Sequence, residues 1–170
     1  MLPLLAFLVV LAGPLASEAQ DPGKGLPGAS ASPTVALELQ VALTVAIERF
    51  QAMDRAAVLS NISNQYRTDS LTKPAIAEQL RVMFALYDRV RAQVHLDEVR
   101  TAGEQAWVYT TGEVSGRVRG LGTWMPIHSW KHEAEVARRE QGAWRLVHRH
   151  ANRLETQYEP STRLAPRRST

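Results

Sequence analysis

Apolar residues recur every three or four positions through the first half of the chain, the spacing that places side chains on one face of an α-helix. The pattern predicts helices over residues 34–52 and 55–63, with Asp54 as the N-cap of the second. A third helix is predicted to begin after Thr72. Further apolar residues widen the stripe of the first helix, which we therefore expect to be well covered: Leu37, Val41 and Val45.

Alternating apolar and polar residues, the pattern of a half-buried strand, replace the helical spacing in the second half. All six glycines between positions 29 and 150 fall in residues 103–142, and glycine is typical of turns and bulges, as expected at Gly112 and Gly116. Four strands are predicted, over residues 94–100, 105–118, 123–140 and 143–154. Helices followed by antiparallel strands indicate an α+β fold, with N-terminal helices packed on a strongly curved antiparallel sheet.

The last two predicted strands form a hairpin that gathers four of the five histidines. Read with a period of two, one face of this hairpin carries Trp130, His132, Ala134, Val136, Trp144, Leu146, His148 and His150. A turn at residues 140–142 would place His132 opposite His150, with His128 further along the same alternation. Glu133 and Glu135 then fall on the opposite face, where we expect them to be solvated.

Histidines that share a sheet face are open to several interpretations. They can line a pocket or its rim without a chemical role, they can bind a ligand, or they can act as general acid and base near neutral pH. A metal site is not predicted, because no carboxylate is placed to orient a ligating histidine. Tyr66 and Tyr87 can add hydroxyl groups to a pocket, although aromatic residues near helix ends more often belong to the core.

The two ends of the chain read as segments outside the folded domain. Residues 1–19 are predicted to be a signal peptide, because a short apolar run is followed by a small-residue cleavage site near Ala19. Residues 20–33 are predicted to be a flexible linker, residues 34–158 the domain, and residues 159–170 a disordered basic tail. Cleavage would release a secreted or periplasmic protein without a membrane span.

The distribution of charge limits the possible binding partners, and the cysteine content limits how the fold can be stabilised. The 170-residue sequence holds 20 basic and 17 acidic residues, interspersed, for a formal net charge of +3. Nucleic-acid binding is not predicted, because a concentrated basic stripe with interleaved aromatic residues is missing. The sequence has no cysteine, so an exported form would be stabilised by its core rather than by disulfides.

Several motifs resemble one known superfamily. They are Ile47-Glu-Arg-Phe50, Asp54-Arg-Ala-Ala-Val-Leu59, Asn64-Gln-Tyr-Arg67, the third-helix residues Ile76-Ala-Glu-Gln-Leu80, Phe84 and Tyr87, and Glu140-Gln-Gly-Ala-Trp-Arg-Leu-Val147, in which the stretch from Gly142 is the best single marker. Together with the order of elements, they make residues 35–152 similar to the nuclear transport factor 2-like superfamily. This superfamily is also called cystatin-like or ketosteroid-isomerase-like, and it includes the SnoaL-like, polyketide-cyclase-like proteins. The resemblance implies a cone-shaped α+β barrel, whose curved sheet wraps over the helices and leaves a cavity open at one end.

The resemblance implies several functions, and fold alone does not choose among them. Isomerases of the superfamily use a carboxylate base, whereas the inward positions of the predicted hairpin carry no Asp or Glu. We therefore expect a non-catalytic exported module that binds a small molecule or peptide, or that serves in protein interactions, without a cofactor. A homodimer is expected by analogy. The predicted pocket residues are Tyr66, Tyr87, His128, Trp130, His132, His148 and His150.

The alternative is a small cofactor-independent enzyme of the cyclase, isomerase or dehydratase type. His132, His148 or His150 would then act as general base in the cone. The enzyme requires at least two of these histidines within hydrogen-bond reach in an enclosed cavity. A ligand-binding module requires an apolar cavity, and an interaction module predicts a filled cone and an exposed apolar sheet face.

Overall fold

The computed structural model describes residues 28–68 and 71–150, with residues 149 and 150 described by their backbone alone. The elements are β1 (Ala29–Ser30), α1 (Pro33–Gln51), α2 (Arg55–Ser60), β2 (Arg67–Thr68), β3 (Leu71–Thr72), α3 (Lys73–Leu86), β4 (Tyr87–Ala102), β5 (Gln105–Val118), β6 (Trp124–Glu140) and β7 (Ala143–His150). Five antiparallel strands form one sheet in the order β1-β4-β5-β6-β7, and β2 pairs with β3. Helices packed on a curved antiparallel sheet confirm the predicted α+β fold. Among the described strands, the sheet is open at β1 and β7.

The helices begin where the sequence signals place them. The carboxylate of Asp54 caps α2 by accepting a hydrogen bond from the backbone N–H of Ala57 at 2.9 Å. Helix α1 agrees with the predicted range 34–52 to within one residue at each end. The expected coverage of this helix is wrong, because Leu37 and Val41 are more than half exposed on the side turned away from the sheet.

The predicted flexible linker over residues 20–33 is wrong in its last part. Ala29 and Ser30 form an edge strand that pairs with Thr101 and Arg100 of β4. An uncovered edge presents unpaired N–H and C=O groups, so this pairing gives hydrogen-bond partners to backbone groups at the end of β4. The linker prediction applies at most to the residues that precede this strand.

Three predicted segments lie outside the described residues and stay predictions. They are the signal peptide at residues 1–19, the end of the domain at residues 151–158, and the basic tail at residues 159–170. Within the described ranges, no helix is long and apolar enough to cross a membrane.

Two bulges bend the sheet at adjacent positions of the three neighbouring strands β4, β5 and β6. The register between β4 and β5 shifts between Leu96 and Glu98, and the register between β5 and β6 shifts between Thr110 and Gly112. A Cβ at Gly112 would lie 2.5 Å from the ring of Trp130, so this position requires glycine. The predicted bend at Gly112 is confirmed.

The register of the closing hairpin differs from the prediction. The turn pairs Glu140 with Ala143, and a bulge between Val136 and Ala137 then shifts the partners by one further residue. The predicted pairing of His132 with His150 is wrong, because His150 lies opposite Ala134. A one-residue difference in turn geometry and one bulge are enough to separate the two histidines.

Two groups of buried side chains form the core between the helices and the sheet. The larger group joins α2 and α3 to the middle of the sheet and includes Phe50, Val58, Ile62, Tyr66, Ile76, Leu80, Met83, Val90, Val114, Trp130 and Leu146. The smaller group lies under α1 and includes Leu39, Ala42, Val99, Val108, Ala137 and Trp144. The segment after α2 also covers the edge of β7, because Ser63 donates its backbone N–H to the Leu146 carbonyl at 2.8 Å.

Candidate functional site

The bulge in β6 divides the predicted histidine face between the two sides of the sheet. Trp130 lies opposite Gly112 and packs in the core on the helix-facing side. Lys131 and His132 are the extra residues opposite Thr111, and His132 has a φ of 50°, in the left-handed region. Beyond this bulge the alternation of β6 is shifted by one, so that Ala134 and Val136, which were predicted to face the cone, turn to the convex side of the sheet, away from the helices.

The shift brings two carboxylates to the helix-facing side. Glu133 lies opposite Thr110, and Glu135 lies opposite Val108, which packs under α1. Glu135 is only 2% exposed and takes part in a polar or electrostatic interaction. The expectation that both glutamates are solvated on the outer face is therefore wrong for Glu135. A bend at Gly112 was predicted, but the extra residue in β6 that reverses the direction of these side chains was not.

Packed side chains occupy the cone between the helices and the middle of the sheet. The indole N–H of Trp130 donates to the hydroxyl of Thr110 at 3.0 Å, and the ring of His128 stacks on Trp130 with centroids 5.6 Å apart. Tyr66 is buried in the same core, and the ring of Tyr87 packs on the backbone of Gly116. Four predicted pocket residues thus lie on the helix-facing side, where they pack with apolar side chains.

The convex side carries a polar cluster that links all three bulged strands. The hydroxyl of Thr111 donates to the Asp97 carboxylate at 2.7 Å and accepts the backbone N–H of His132 at 3.0 Å. The Nδ1 atom of His132 lies 3.5 Å from the same carboxylate. The His132 ring stacks on Tyr109, with centroids 4.9 Å apart. An aspartate, a threonine and a tyrosine therefore fix the orientation of one imidazole.

Accessibility limits the chemistry that this cluster can perform. The Nε2 atom of His132 is buried and makes no hydrogen bond to the described residues. With Nδ1 turned to Asp97, the imidazole presents no nitrogen to a substrate in this conformation. Burial raises the pKa of the Tyr109 phenol above its ordinary value, and the Glu98 carboxylate adds to the rise. Tyr109 therefore stays neutral at physiological pH.

His95 lies opposite Thr111 on the neighbouring strand, whereas His148 lies apart from this cluster. His148 is exposed at the outer strand β7, where its Nδ1 is 2.8 Å from the carbonyl oxygen of Arg67. The backbone of His150 lies opposite Ala134. Within residues 28–68 and 71–150, no three histidine, aspartate or glutamate side chains form a group suited to a metal ion.

Asp97 and Thr111 are the cluster residues that the sequence analysis missed. The pair Asp97-Glu98 reads as an ordinary exposed acidic pair, and Thr111 reads as one position of a regular strand. Only the alignment of two bulges beside Thr111 brings the Asp97 carboxylate to His132. Gly112 marks the bend in β5, but the sequence carries no local signal for the bulge at Asp97 or for the extra residues Lys131 and His132.

Comparison with solved structures shows which fold this arrangement belongs to. A conserved protein from Planctomyces limnophilus matches 68% of this chain and 92% of its own, with a TM-score of 0.60 and 16% identity. A proposed dehydratase of the nuclear transport factor 2-like family from Streptomyces avermitilis matches 68% and 93%, with a TM-score of 0.55 and 12% identity. A protein of unknown function with a cystatin-like fold from Nostoc punctiforme matches 71% and 91%, with a TM-score of 0.55 and 13% identity.

These similarities concern structure rather than sequence. No protein-family model and no curated protein matches the sequence. At identities of 12–16%, a similar fold does not imply a shared activity. The helices, the bulged antiparallel sheet and the solved structures agree on one conclusion: the protein has the nuclear transport factor 2-like, or cystatin-like, fold.

Proposed function

We propose that the protein is a non-catalytic interaction module, in which the cone is a structural core and the outer surface makes the functional contacts. The observation that carries the proposal is the packing of the cone by side chains that are less than one-tenth exposed, among them Phe50, Leu80 and Trp130. A ligand in the same position would have to displace these side chains. Close-packed interiors resist such displacement, because each lost apolar contact costs free energy.

The position of the histidines supports the same proposal. His128 is half-buried and stacks on Trp130, His132 lies on the convex side, and His148 lies exposed on β7. An acid–base enzyme of the kind considered from the sequence needs at least two of these groups to meet at one substrate. A module that acts through its surface has no such requirement.

The indole N–H of Trp130 provides the experimental test. In ¹⁵N-labelled protein, the indole signals of Trp130 and Trp124 are identified with the variants Trp130→Phe and Trp124→Phe, and their hydrogen exchange is then measured. We expect slow exchange at Trp130, because its N–H donates to Thr110 inside the packed cone. Trp124, which lies under the guanidinium of Arg91 near the sheet surface, is the internal reference for faster exchange.

A small apolar probe extends this test to ligand binding. We expect the hydrophobic dye 1-anilinonaphthalene-8-sulfonate to leave the Trp130 signal unchanged, even where it binds exposed apolar residues. Exchange at Trp130 as fast as at Trp124, or a saturable shift of its signal with the dye, would mean that the cone is accessible. Either result would contradict the proposal and favour a ligand-binding cone.

One observation favours the enzyme as a second candidate function. Glu135 places a carboxylate on the helix-facing side, and a carboxylate removed from water is suited to act as a general acid or base. The uncharged variant Glu135→Gln separates the two functions without a known substrate. A residue kept for catalysis usually costs stability, so its replacement would raise Tm. The interaction module predicts a lower Tm, because the variant weakens the buried polar or electrostatic interaction of Glu135.

A further inference from the structure

Exposed apolar side chains concentrate at one end of the molecule. Among the described residues, six large apolar side chains are exposed, and four of them belong to the end of α3 or to the loop and strand that follow β5. We call these four residues the apolar tip: Val82, Leu86, Leu121 and Met125. Leu121 is 75% exposed, and the others are about half exposed. Soluble proteins rarely gather such residues without a binding role.

The apolar tip is built as one unit. The backbone N–H of Arg119 donates to the Leu86 carbonyl at 2.9 Å, and its guanidinium donates to the carbonyls of Phe84, Ala85 and Tyr87. A guanidinium at the carboxyl end of a helix satisfies carbonyls that lack helical partners and complements the helix dipole. The loop that carries Leu121 is thereby fixed beside the last turn of α3.

The loop between β5 and β6 exposes the side chain of Leu121 to solvent. Leu121 lies between Gly120 and Gly122, whose φ angles of 82° and 68° are in the left-handed region. The backbone N–H groups of Leu121 and Gly122 both donate to the Val118 carbonyl, which closes the turn. The result is a protruding apolar side chain rather than an apolar groove.

The residues around the apolar tip carry a positive charge. Residues 78–91 and 117–125 contain five arginines and two carboxylates, a net charge of +3, which equals the formal charge of the whole chain. Both carboxylates are already paired, Glu78 with Arg81 at 2.6 Å and Asp88 with Arg117 at 2.7 Å. Among the described residues, no carboxylate lies within 4.0 Å of the guanidinium of the three other arginines, Arg89, Arg91 and Arg119. Asp88 acts on Arg89 and Arg119 at longer range.

We propose that the apolar tip and its arginines bind the surface of an anionic lipid bilayer. A single protruding leucine can enter the boundary between headgroups and acyl chains, whereas a protein partner usually offers or requires a matching groove. Trp124, stacked under Arg91 at 4.0 Å, is a residue type that favours the membrane interface. Each arginine near an anionic surface adds electrostatic attraction. The inference rests on the proposed function, since it names the partner of the interaction module.

Vesicle sedimentation with the full chain tests this inference. The probe is a vesicle of phosphatidylcholine with phosphatidylglycerol, compared with phosphatidylcholine alone. We expect Leu121→Ser to weaken binding about tenfold, because an apolar side chain no longer enters the bilayer. The variant Arg89→Gln should weaken binding about fivefold, only to the anionic vesicles, and this difference should decrease as salt is added.

A matched control separates the apolar tip from other apolar residues. Leu37→Ser changes a comparably exposed leucine on α1, and every variant keeps the same N-terminal segment. Equal effects of Leu37→Ser and Leu121→Ser, or no binding by the wild type, would overturn the inference. Displacement from the vesicles by soluble polyglutamate at equal carboxylate concentration would instead indicate an acidic protein partner, and would also overturn it. The Trp130 exchange test is independent of vesicles, so the failure of one proposal is distinguishable from the failure of the other.

Discussion

The two sides of the sheet formed by β5 and β6 are stabilised in different ways. Around the middle of the sheet, the helix-facing side carries an apolar core, in which Trp130 packs with Val114 and Leu146. At the same level, the convex side carries the polar cluster of Asp97, Thr111 and His132. Burial of apolar area is non-directional, whereas the hydrogen bonds of the cluster depend on position and angle.

This difference explains why the apolar core around Trp130 could be predicted from the sequence pattern, whereas the convex cluster could not. A core tolerates small changes of position, since neighbouring side chains adjust to fill space. The convex cluster exists only because two bulges lie at the level of Thr111, where they aim Asp97 and His132 toward one hydroxyl. We therefore expect large, general effects of mutations on the helix-facing side and smaller, atom-specific effects on the convex side.

Truncation of a core leucine should have the largest effect. Leu80 of α3 is fully buried, so Leu80→Ala should lower the free energy of unfolding by about 2–5 kcal/mol, measured by urea denaturation. The milder change Ile76→Val, at another fully buried residue of α3, should cost about 0.5–1.5 kcal/mol. Leu121→Ala is the exposed control and should change stability by less than about 0.5 kcal/mol. A loss at Leu80 no greater than that at Leu121 would mean that the cone is not packed.

Removal of the central hydroxyl of the convex cluster should have an intermediate effect. Thr111→Val keeps the shape of the side chain but removes the donor to Asp97 and the acceptor for the His132 N–H. Two polar groups then lose a partner, and we expect a cost of about 1–3 kcal/mol in the same denaturation experiment. Thr111→Ser keeps the hydroxyl and should cost clearly less. Equal losses for the two variants would show that the methyl group, not the hydroxyl, matters.

The elements with regular periodicity could be predicted from the sequence. The bounds of β5 agree with the predicted range 105–118, because glycines and polar turns mark both of its ends. Helix α1 agrees to within a residue, because its apolar stripe is long. In both cases the predictive pattern lies within the element itself, so the element could be predicted without knowledge of its tertiary contacts.

The convex cluster could not be predicted, because it depends on irregularities that are set by the whole sheet. His132 adopts a φ of 50° although a non-glycine residue rarely does so, and no neighbouring residue marks the position. One extra residue in β6, which the predicted bend at Gly112 did not reveal, then reverses the direction of every later side chain of β6, including Glu135. The sequence thus allowed the residue types of the hairpin to be identified, but not the side of the sheet on which each one lies.

The smallest expected effect concerns the ionisation of Tyr109. Burial, together with the Glu98 carboxylate, raises the pKa of its phenol in the folded protein. Since the folded-state pKa exceeds the unfolded value of about 10, the associated stability is fully present below that pH and is lost as the pH rises through the folded-state pKa. An alkaline spectrophotometric titration of the wild type and of Tyr109→Phe isolates this group as a difference curve. We expect the difference to titrate later than free tyrosine. A difference curve centred on the ordinary pKa would mean that the convex side is open to water at Tyr109, and that its polar cluster is less ordered than the core behind it.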